Sequence, residues 1–382
     1  MPVYFAVTPR GVEGVTASEI EALGGQNISA DSGGVHFEGD AALLYRANLY
    51  LRTATRVVVP IRDFSSASVP MLYDQVKRIK WEQYFPGRET LAVDTHIAGE
   101  SAARKGLDHS HFASLKIKDA VVDRIRELTG SRPDVNTTNP DVRIHAFIRG
   151  TRCTISLDSS GDSLHERGYR SGGSDAPLKE TLAAAMLMLS GWDPETPLID
   201  PMCGSGTILI EGAMLAMGIP PGMGRRKFGF MRWPDFDRKL WEKVLADAGR
   251  TVRKDRRPSI FGFDANPESI KAAKRNAAAA GVGPAVSFES RTLQSFILPV
   301  DRPGTLIVNP PYGKRLVEGG DEKIESLYKT LGDTFKQKLK GWTACIFTGN
   351  LEMAKHVGLR TSKRTILFNG PMECRLLRYE MY

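Results

Sequence analysis

Leu198-Ile199-Asp200-Pro201-Met202-Cys203-Gly204-Ser205-Gly206-Thr207 decides the fold. A short apolar strand runs into a tight turn with two glycines, and an apolar helix, Ile208 to Met217, follows at once. Glycines let a ligand approach the backbone, and the N–H groups of a helix start face it, so the pattern predicts a nucleotide-type pocket. It is not the dinucleotide fingerprint, because Leu209 stands where the third glycine of G-x-G-x-x-G would be. The Asp200 carboxylate would repel a pyrophosphate and favour the cationic amino-acid end of S-adenosyl-L-methionine, which makes NAD(P) the weaker option.

Two further strand ends fit the same pocket. Ser259-Ile260-Phe261-Gly262-Phe263-Asp264-Ala265-Asn266-Pro267 reads as a strand ending in an acid, then an Asn-Pro helix start. A carboxylate there is placed to accept ribose hydroxyls, although one acid ahead of a helix is also an ordinary cap. Leu306-Ile307-Val308-Asn309-Pro310-Pro311-Tyr312-Gly313 is a buried strand ending in a polar tetrapeptide. The prolines remove two backbone donors and leave carbonyls to accept, Asn309 adds a side-chain acceptor, and Tyr312 adds a flat ring. Such a set suits a planar group with an exocyclic amine; alone, it also reads as a Pro-rich loop.

Work outward from this block gives βαβαβ order to about residue 348, the signature of a doubly wound, mostly parallel sheet. Lys363 to Phe368, the turn Asn369-Gly370-Pro371 and Met372 to Tyr379 predict a closing antiparallel hairpin. Residues 1 to about 40 read as a small βαβ-type unit: strand Tyr4 to Thr8, a helix stopped by Gly24-Gly25, and a strand around Gly34 to Phe37. The stretch to about 158 mixes helices and strands, with a hairpin expected at Gly150-Thr151. The fold class is therefore α/β, with an α+β region ahead of the Rossmann-like part, and the divisions expected are 1–42, 43–158 and 159–382.

Length and composition suit two or three globular domains. No apolar run approaches the ~18 residues of a membrane span, and Met1 to Phe5 lacks a charged n-region, so a cytoplasmic protein is expected. Cys153, Cys203, Cys345 and Cys374 are far apart and read as buried thiols, and His109 and His111 as a solvated loop, so no metal is expected. The net charge of +8 argues for a polyanionic partner. From Arg225 to Arg257 there are 12 Lys and Arg against 5 Asp and Glu, interleaved with Phe228, Phe230, Trp233, Phe236 and Trp241. That suits phosphate contact with base stacking, and equally an amphipathic helix whose aromatics are core.

These residues resemble a known family. Gly33-Gly34-Val35-His36-Phe37, Asn48 to Val57, Lys116-Ile117-Lys118-Asp119-Ala120, and Leu164-His165-Glu166-Arg167-Gly168-Tyr169-Arg170 followed by Ala176 to Ala183 are similar to the bacterial THUMP-domain RNA methyltransferases. Within them the likeness is to the 23S rRNA guanine-N2 methyltransferases (RlmL-like). The resemblance implies a ferredoxin-like segment, a THUMP RNA-binding domain and a Rossmann-like class I methyltransferase domain. It implies S-adenosyl-L-methionine as cofactor, held by Asp200, Pro201, Cys203, Gly204, Ser205, Gly206, Thr207, Asp264 and Ala265, with Thr292 toward the adenine. The acid usual after the third strand of such enzymes is replaced here by Phe288-Glu289-Ser290-Arg291-Thr292-Leu293. Asn309, Pro310, Pro311 and Tyr312 would hold the guanine. Lys116, Lys118, Arg225, Arg226, Lys227, Lys314 and Arg315 would meet 23S ribosomal RNA, before or during subunit assembly. The Asn-Pro-Pro-Tyr motif also serves adenine-N6 methylation of RNA or DNA and glutamine methylation of proteins. A non-catalytic RNA-binding assembly factor on the same fold is the reading from a different class.

Overall fold

The computed structural model describes residues 1–85, 87–99, 109–170, 178–311 and 320–382. Its first half is β1 (Val3–Val7), α1 (Glu13–Ala22), β2 (Gln26–Asp31), β3 (Gly34–Glu38), α2 (Ala41–Tyr50), β4 (Arg56–Ser65) and α3 (Val69–Lys77). β5 (Leu91–Ala98), α4 (Ser110–Thr129), β6 (Val142–Arg149) and β7 (Arg152–Asp158) complete it. The seven strands form one sheet in the order β2-β3-β1-β4-β7-β6-β5. β6 and β7 are the expected hairpin, Arg149 opposite Arg152. α3 and α4 cover one face, burying Leu72, Val76, Ile117, Val121 and Ile125 against Ile144, Ile148 and Ile155. This is the α+β half.

One expectation for this half needs correction. The N-terminal unit is not βαβ: β1 and β3 pair antiparallel, and an additional strand, β2, lies outside β3. The expected division after residue 42 falls inside α2, and β4 pairs with β1 on one side and β7 on the other. Among the described residues, nothing in the hydrogen-bonded ladder separates the two units. Exposed His109 is the extended N-cap of α4, and His111 lies in the exposed first turn of that helix.

The second half runs α5 (Glu180–Ser190), β8 (Leu198–Asp200), α6 (Thr207–Ala216), α7 (Arg238–Thr251), β9 (Ile260–Asp264), α8 (Pro267–Ala279) and β10 (Ser287–Ser290). β11 (Thr305–Val308), α9 (Gly320–Lys338), β12 (Thr343–Thr348), α10 (Leu351–Lys355), β13 (Lys363–Asn369) and β14 (Met372–Glu380) follow. Its sheet is ordered β10-β9-β8-β11-β12-β14-β13, with the first five strands parallel and the closing hairpin antiparallel. β8 and β11 are neighbours although β9 and β10 lie between them in sequence, so the strand order reverses there. In open α/β sheets ligands bind at such a reversal, outside the carboxyl ends of the strands.

The halves are packed together. Tyr45 of α2 stacks on Phe230 at 4.5 Å between ring centroids and meets Trp241 of α7 edge-on at 6.0 Å. Phe228, Phe230 and Trp241 are buried, so these aromatics of the basic segment are core. A buried chain of charge reinforces the contact. Glu19 of α1 accepts from the Arg52 and Thr53 amides, Arg52 reaches the Ile219 carbonyl at 2.7 Å, and Arg167 lies 3.5 Å from Glu211 of α6 while donating to the Arg52 carbonyl. All four cysteines are buried free thiols. Among the described residues no helix is long and apolar enough to cross a membrane, and no cluster of acids, histidines or cysteines could hold a metal.

Candidate active site

The carboxyl ends of β8, β9 and β11 bring Asp200, Asp264 and Asn309 to one edge of the sheet. β8 pairs with β11 through Leu198–Thr305 and Ile199–Leu306, so Asp200 and Asn309 leave adjacent strands side by side. After β8, the Cys203 amide donates to the Phe263 carbonyl at 2.8 Å, and the Gly206 amide to the Cys203 carbonyl at 2.8 Å. The turn is thereby folded against the end of β9. Asp264 ties the two strand ends together: its carboxylate accepts from the Gly204 amide and from the Asn266 amide, each at 2.9 Å. Asn266 caps α8 by accepting from the Glu268 amide at 2.9 Å, with Pro267 as the first helical residue.

The glycines of the turn do different work. Gly204, at φ +53°, has open space where a side chain would project; Gly206, at φ +83°, would place a Cβ 3.0 Å from Phe288 and 3.1 Å from Ala273. One leaves the backbone accessible to a ligand, and the other lets α6 start flush against α8 and β10. Ser205 is fixed by Asn276, which donates to its carbonyl at 3.1 Å. Pro201 and Cys203 are buried, Thr207 is the first residue of α6, and Ala265 is exposed at the rim.

Electrostatics at the edge are unusual. Asp200 is 2% exposed, and burial, with Asp264 adding to it, pushes its carboxyl up to about 8, against one amide bond from Met202. A buried carboxylate with so little compensation is a demand for a cation. Burial beside the same two acids also raises the Cys203 thiol, which excludes it as a thiolate nucleophile. Asn309 presents the complementary demand. Its Oδ1 is buried and has no hydrogen-bond partner among the described residues. Buried polar atoms are ordinarily paired, so an orphan at a strand tip marks a place where a donor is to be supplied. Pro310 is buried and Pro311 half-buried beside it; Tyr312 lies outside the described residues.

Thr292 is exposed after β10, its hydroxyl 2.9 Å from that of Ser295, while Glu289 is paired with Arg291 at 2.6 Å. Of the residues expected to meet RNA, Lys116 and Lys118 precede Asp119 on α4, and both pair with it. Arg225 is turned inward, donating to the carbonyls of Ser160, Asp162, Ser163 and Glu166; Arg226 and Lys227 beyond it are exposed. Lys314 and Arg315 lie outside the described residues.

Sequence reading missed Arg170 and Glu211. Arg170 bridges Glu180 at 3.2 Å and the Thr207 hydroxyl at 2.8 Å, and so pins the first residue of α6. Tyr169 donates to Glu211, on the inner side of the same helix, at 3.2 Å. Both neighbours stand in the quoted Leu164 to Arg170 run, but nothing local in that run tells which helix it will meet.

Comparisons with known proteins match the chain to three domain families. Residues 167–378 match the RMKL-like methyltransferase domain, 66–158 the THUMP domain, and 4–58 the RlmL ferredoxin-like domain. A putative RNA methyltransferase of Synechocystis sp. is 41% identical over 379 residues, 99% of this chain and 97% of that protein. The ribosomal RNA large subunit methyltransferase K/L of Syntrophotalea carbinolica is 41% identical over 99% of this chain and 53% of its own length. The chain thus spans about half the length of the K/L relatives it matches. A crystal structure of a putative methyltransferase complexed with SAH superposes with a TM-score of 0.88 at 30% identity, covering 100% of this chain and 98% of that one. By its fold, its strand-end site and these matches along nearly its whole length, the chain belongs to the family of the RMKL-like methyltransferase domain, preceded by a ferredoxin-like and a THUMP domain.

Proposed function

We propose that the protein transfers a methyl group from S-adenosyl-L-methionine to the exocyclic N2 of a guanosine in 23S ribosomal RNA, in the cytoplasm, before or during subunit assembly. The observation that carries this reading is the pairing of an orphaned buried acceptor, Asn309 Oδ1, with a buried, uncompensated carboxyl, Asp200, on adjacent strand tips. Asp200 would hold the cationic amino-acid end of the cofactor, with Pro201, Cys203, Gly204, Ser205, Gly206 and Thr207 around it. Asp264 and Ala265 would meet the ribose, and Thr292 the adenine. When bound, the cofactor supplies an electrophilic methyl group.

The protein's own part is orientation. Guanine N2 is a weak nucleophile because its lone pair is delocalised into the ring. The Asn309 oxygen and the Pro310 carbonyl would accept its two protons, drawing the nitrogen toward tetrahedral geometry with its lone pair free. Pro311 and Tyr312 would clamp the base. Preorganised acceptors in a water-poor site supply most of the barrier reduction. No titrating base is needed beforehand, since the product amine sheds its proton readily. The target base must leave its stack to reach the strand tips, so a loop, bulge or flipped nucleotide is expected. Lys116, Lys118, Arg226 and Lys227 would contact phosphates, with Arg225 organising the loop that presents the last two, and Lys314 and Arg315 flanking the base clamp.

The test is incubation with methyl-labelled cofactor and either naked 23S rRNA, assembled large subunits or deproteinised genomic DNA, followed by nucleoside analysis. Label in N2-methylguanosine from naked rRNA is expected. Label in N6-methyladenosine or its deoxy form would transfer the assignment to adenine. Cofactor binding without label in any polymer would refute both.

A further inference from the structure

The sheet of the first half has two faces, and only one is covered by helices. In β6, Ile144, Ala146 and Ile148 are buried under α3 and α4, which leaves His145, Phe147 and Arg149 on the other side. Register places His96 of β5 directly beside Phe147, and Arg152 of β7 beside Arg149. The His96 and Phe147 rings are stacked, 5.7 Å between centroids and 8° between planes, and Phe147 keeps 42% of its surface exposed. By register the same face passes across β4 to β1 and β3, since Val58 pairs with Asp158 and Phe5 with Val58, but Val58 and Asp158 are buried, so its open parts are separate. There a second pair, Phe5 and His36, lies 4.5 Å apart.

This face is concave. Asp31, at the end of β2, comes within 4.0 Å of Arg149 on β6, although four strands lie between them in the sheet. Both side chains project from the face that carries the aromatic pairs, so the sheet must curl toward it. The pair is loose and exposed, and such contacts contribute little. Arg152 is gripped by Asp63 at 2.6 Å, and Arg143 by Asp94 at 2.7 Å. Arg149 therefore has the weakest partner of the three. Two arginines directly opposed across a hairpin repel each other, an arrangement that a polyanion relieves.

We propose that this concave face takes a single-stranded RNA segment, its bases stacking at His96–Phe147, its phosphates meeting Arg149 and Arg152. The proposal rests on RNA being the substrate, and adds where a flanking strand lies. An exposed stacked pair offers a further stacking face to any base, and arginines beside it suit a backbone. Duplex RNA keeps its bases inside and cannot use such a platform. The residues on this face are distinct from Lys116 and Lys118, which lie on α4 across the sheet.

The experiment is fluorescence anisotropy with a labelled single-stranded 12-mer and its blunt duplex, on the whole protein at fixed salt. The variants are His96→Ala with Phe147→Ala together, Arg149→Glu alone, and Leu128→Ala, an exposed position at the end of α4, as the control. The double variant should lose about tenfold or more in single-strand affinity, from the range for base–aromatic stacking. Arg149→Glu should weaken binding with a shallower salt dependence. SAH affinity, thermal midpoint and the Leu128→Ala protein should be unchanged. Equal single-strand affinity in wild type, the double variant and Arg149→Glu would overturn the proposal and leave the RNA reading intact. So would a duplex bound as tightly as the single strand. Absence of label transfer from wild type to any RNA would instead remove the RNA reading itself.

Discussion

Because the Oδ1 atom of Asn309 is buried without a partner among the described residues, Asn309→Ala should leave folding stability unchanged or slightly raised while abolishing most turnover. A rise of about 3 kcal/mol in the barrier, on the order of a hundredfold loss in rate or more, is expected from removing one preorganised hydrogen-bond partner. Single-turnover methyl transfer alongside a thermal melt checks both halves; near-normal turnover would exclude Asn309 from the clasp. Asp200 predicts a pH dependence. Its carboxyl is raised by burial from 3.8 to about 8, so between those values the folded protein holds a proton that the unfolded chain has lost. The stability it contributes is therefore full below about pH 4 and declines as pH rises through about 8. Urea titrations from pH 5 to 9 should show wild type falling relative to Asp200→Asn, and parallel profiles would disprove the assignment. Cofactor affinity should rise across the same window in wild type alone. At this scale the sequence was informative where a polar residue interrupts an apolar strand end, as at Asp200, Asp264 and Asn309. It was silent on Arg170, whose role depends on meeting the Thr207 hydroxyl across the fold.

Between elements, the start of α6 carries the next test. Gly206→Ala forces a side chain into a φ of +83° and against Phe288 and Ala273, a strain of roughly 1–3 kcal/mol before any clash is relieved. The thermal midpoint should drop and SAH binding weaken, whereas Gly204→Ala, strained at φ +53° but free of any clash, should lower the midpoint less. The docking of α7 on α2 gives another. Trp241 is 7% exposed and packs on Tyr45, Phe228 and Phe230, so Trp241→Ala should cost about 3 kcal/mol or more. Chemical denaturation would register it as a loss shared by both halves. The helical spacing of Trp241, Leu245 and Ala248 was readable, although Val244 is the residue buried beside Trp241 and Ala248; whether the aromatics serve RNA or core was not, since the deciding partner, Tyr45, sits in the other half of the chain. β2 is illegible in the sequence for a different reason. Gln26-Asn27-Ile28-Ser29-Ala30-Asp31 is an edge strand with no buried residue, and without a buried face there is no alternation to read.

Across the whole molecule, the strand order of the second sheet was legible because each strand announces itself by an apolar run and a helix start. The curl of the first sheet was not, as it arises from pairings between residues far apart in sequence. A net charge of +8 predicts that RNA affinity falls steeply with salt, the logarithmic slope shrinking by about 0.7 for each phosphate contact deleted from a single strand. Titrations between low and moderate salt would check this, and a flat profile would argue against phosphate contact. The position of β4 has a further consequence. With β1 hydrogen-bonded along one flank and β7 along the other, it is a common keel for two domains that family comparisons treat as separate. Excising residues 1–55 would bare one side of that keel, a row of unpaired amides and carbonyls that recruits other chains. A THUMP domain cut free of its ferredoxin-like neighbour should therefore precipitate or pair with itself, and an evolutionary swap of either domain would have to carry the other along.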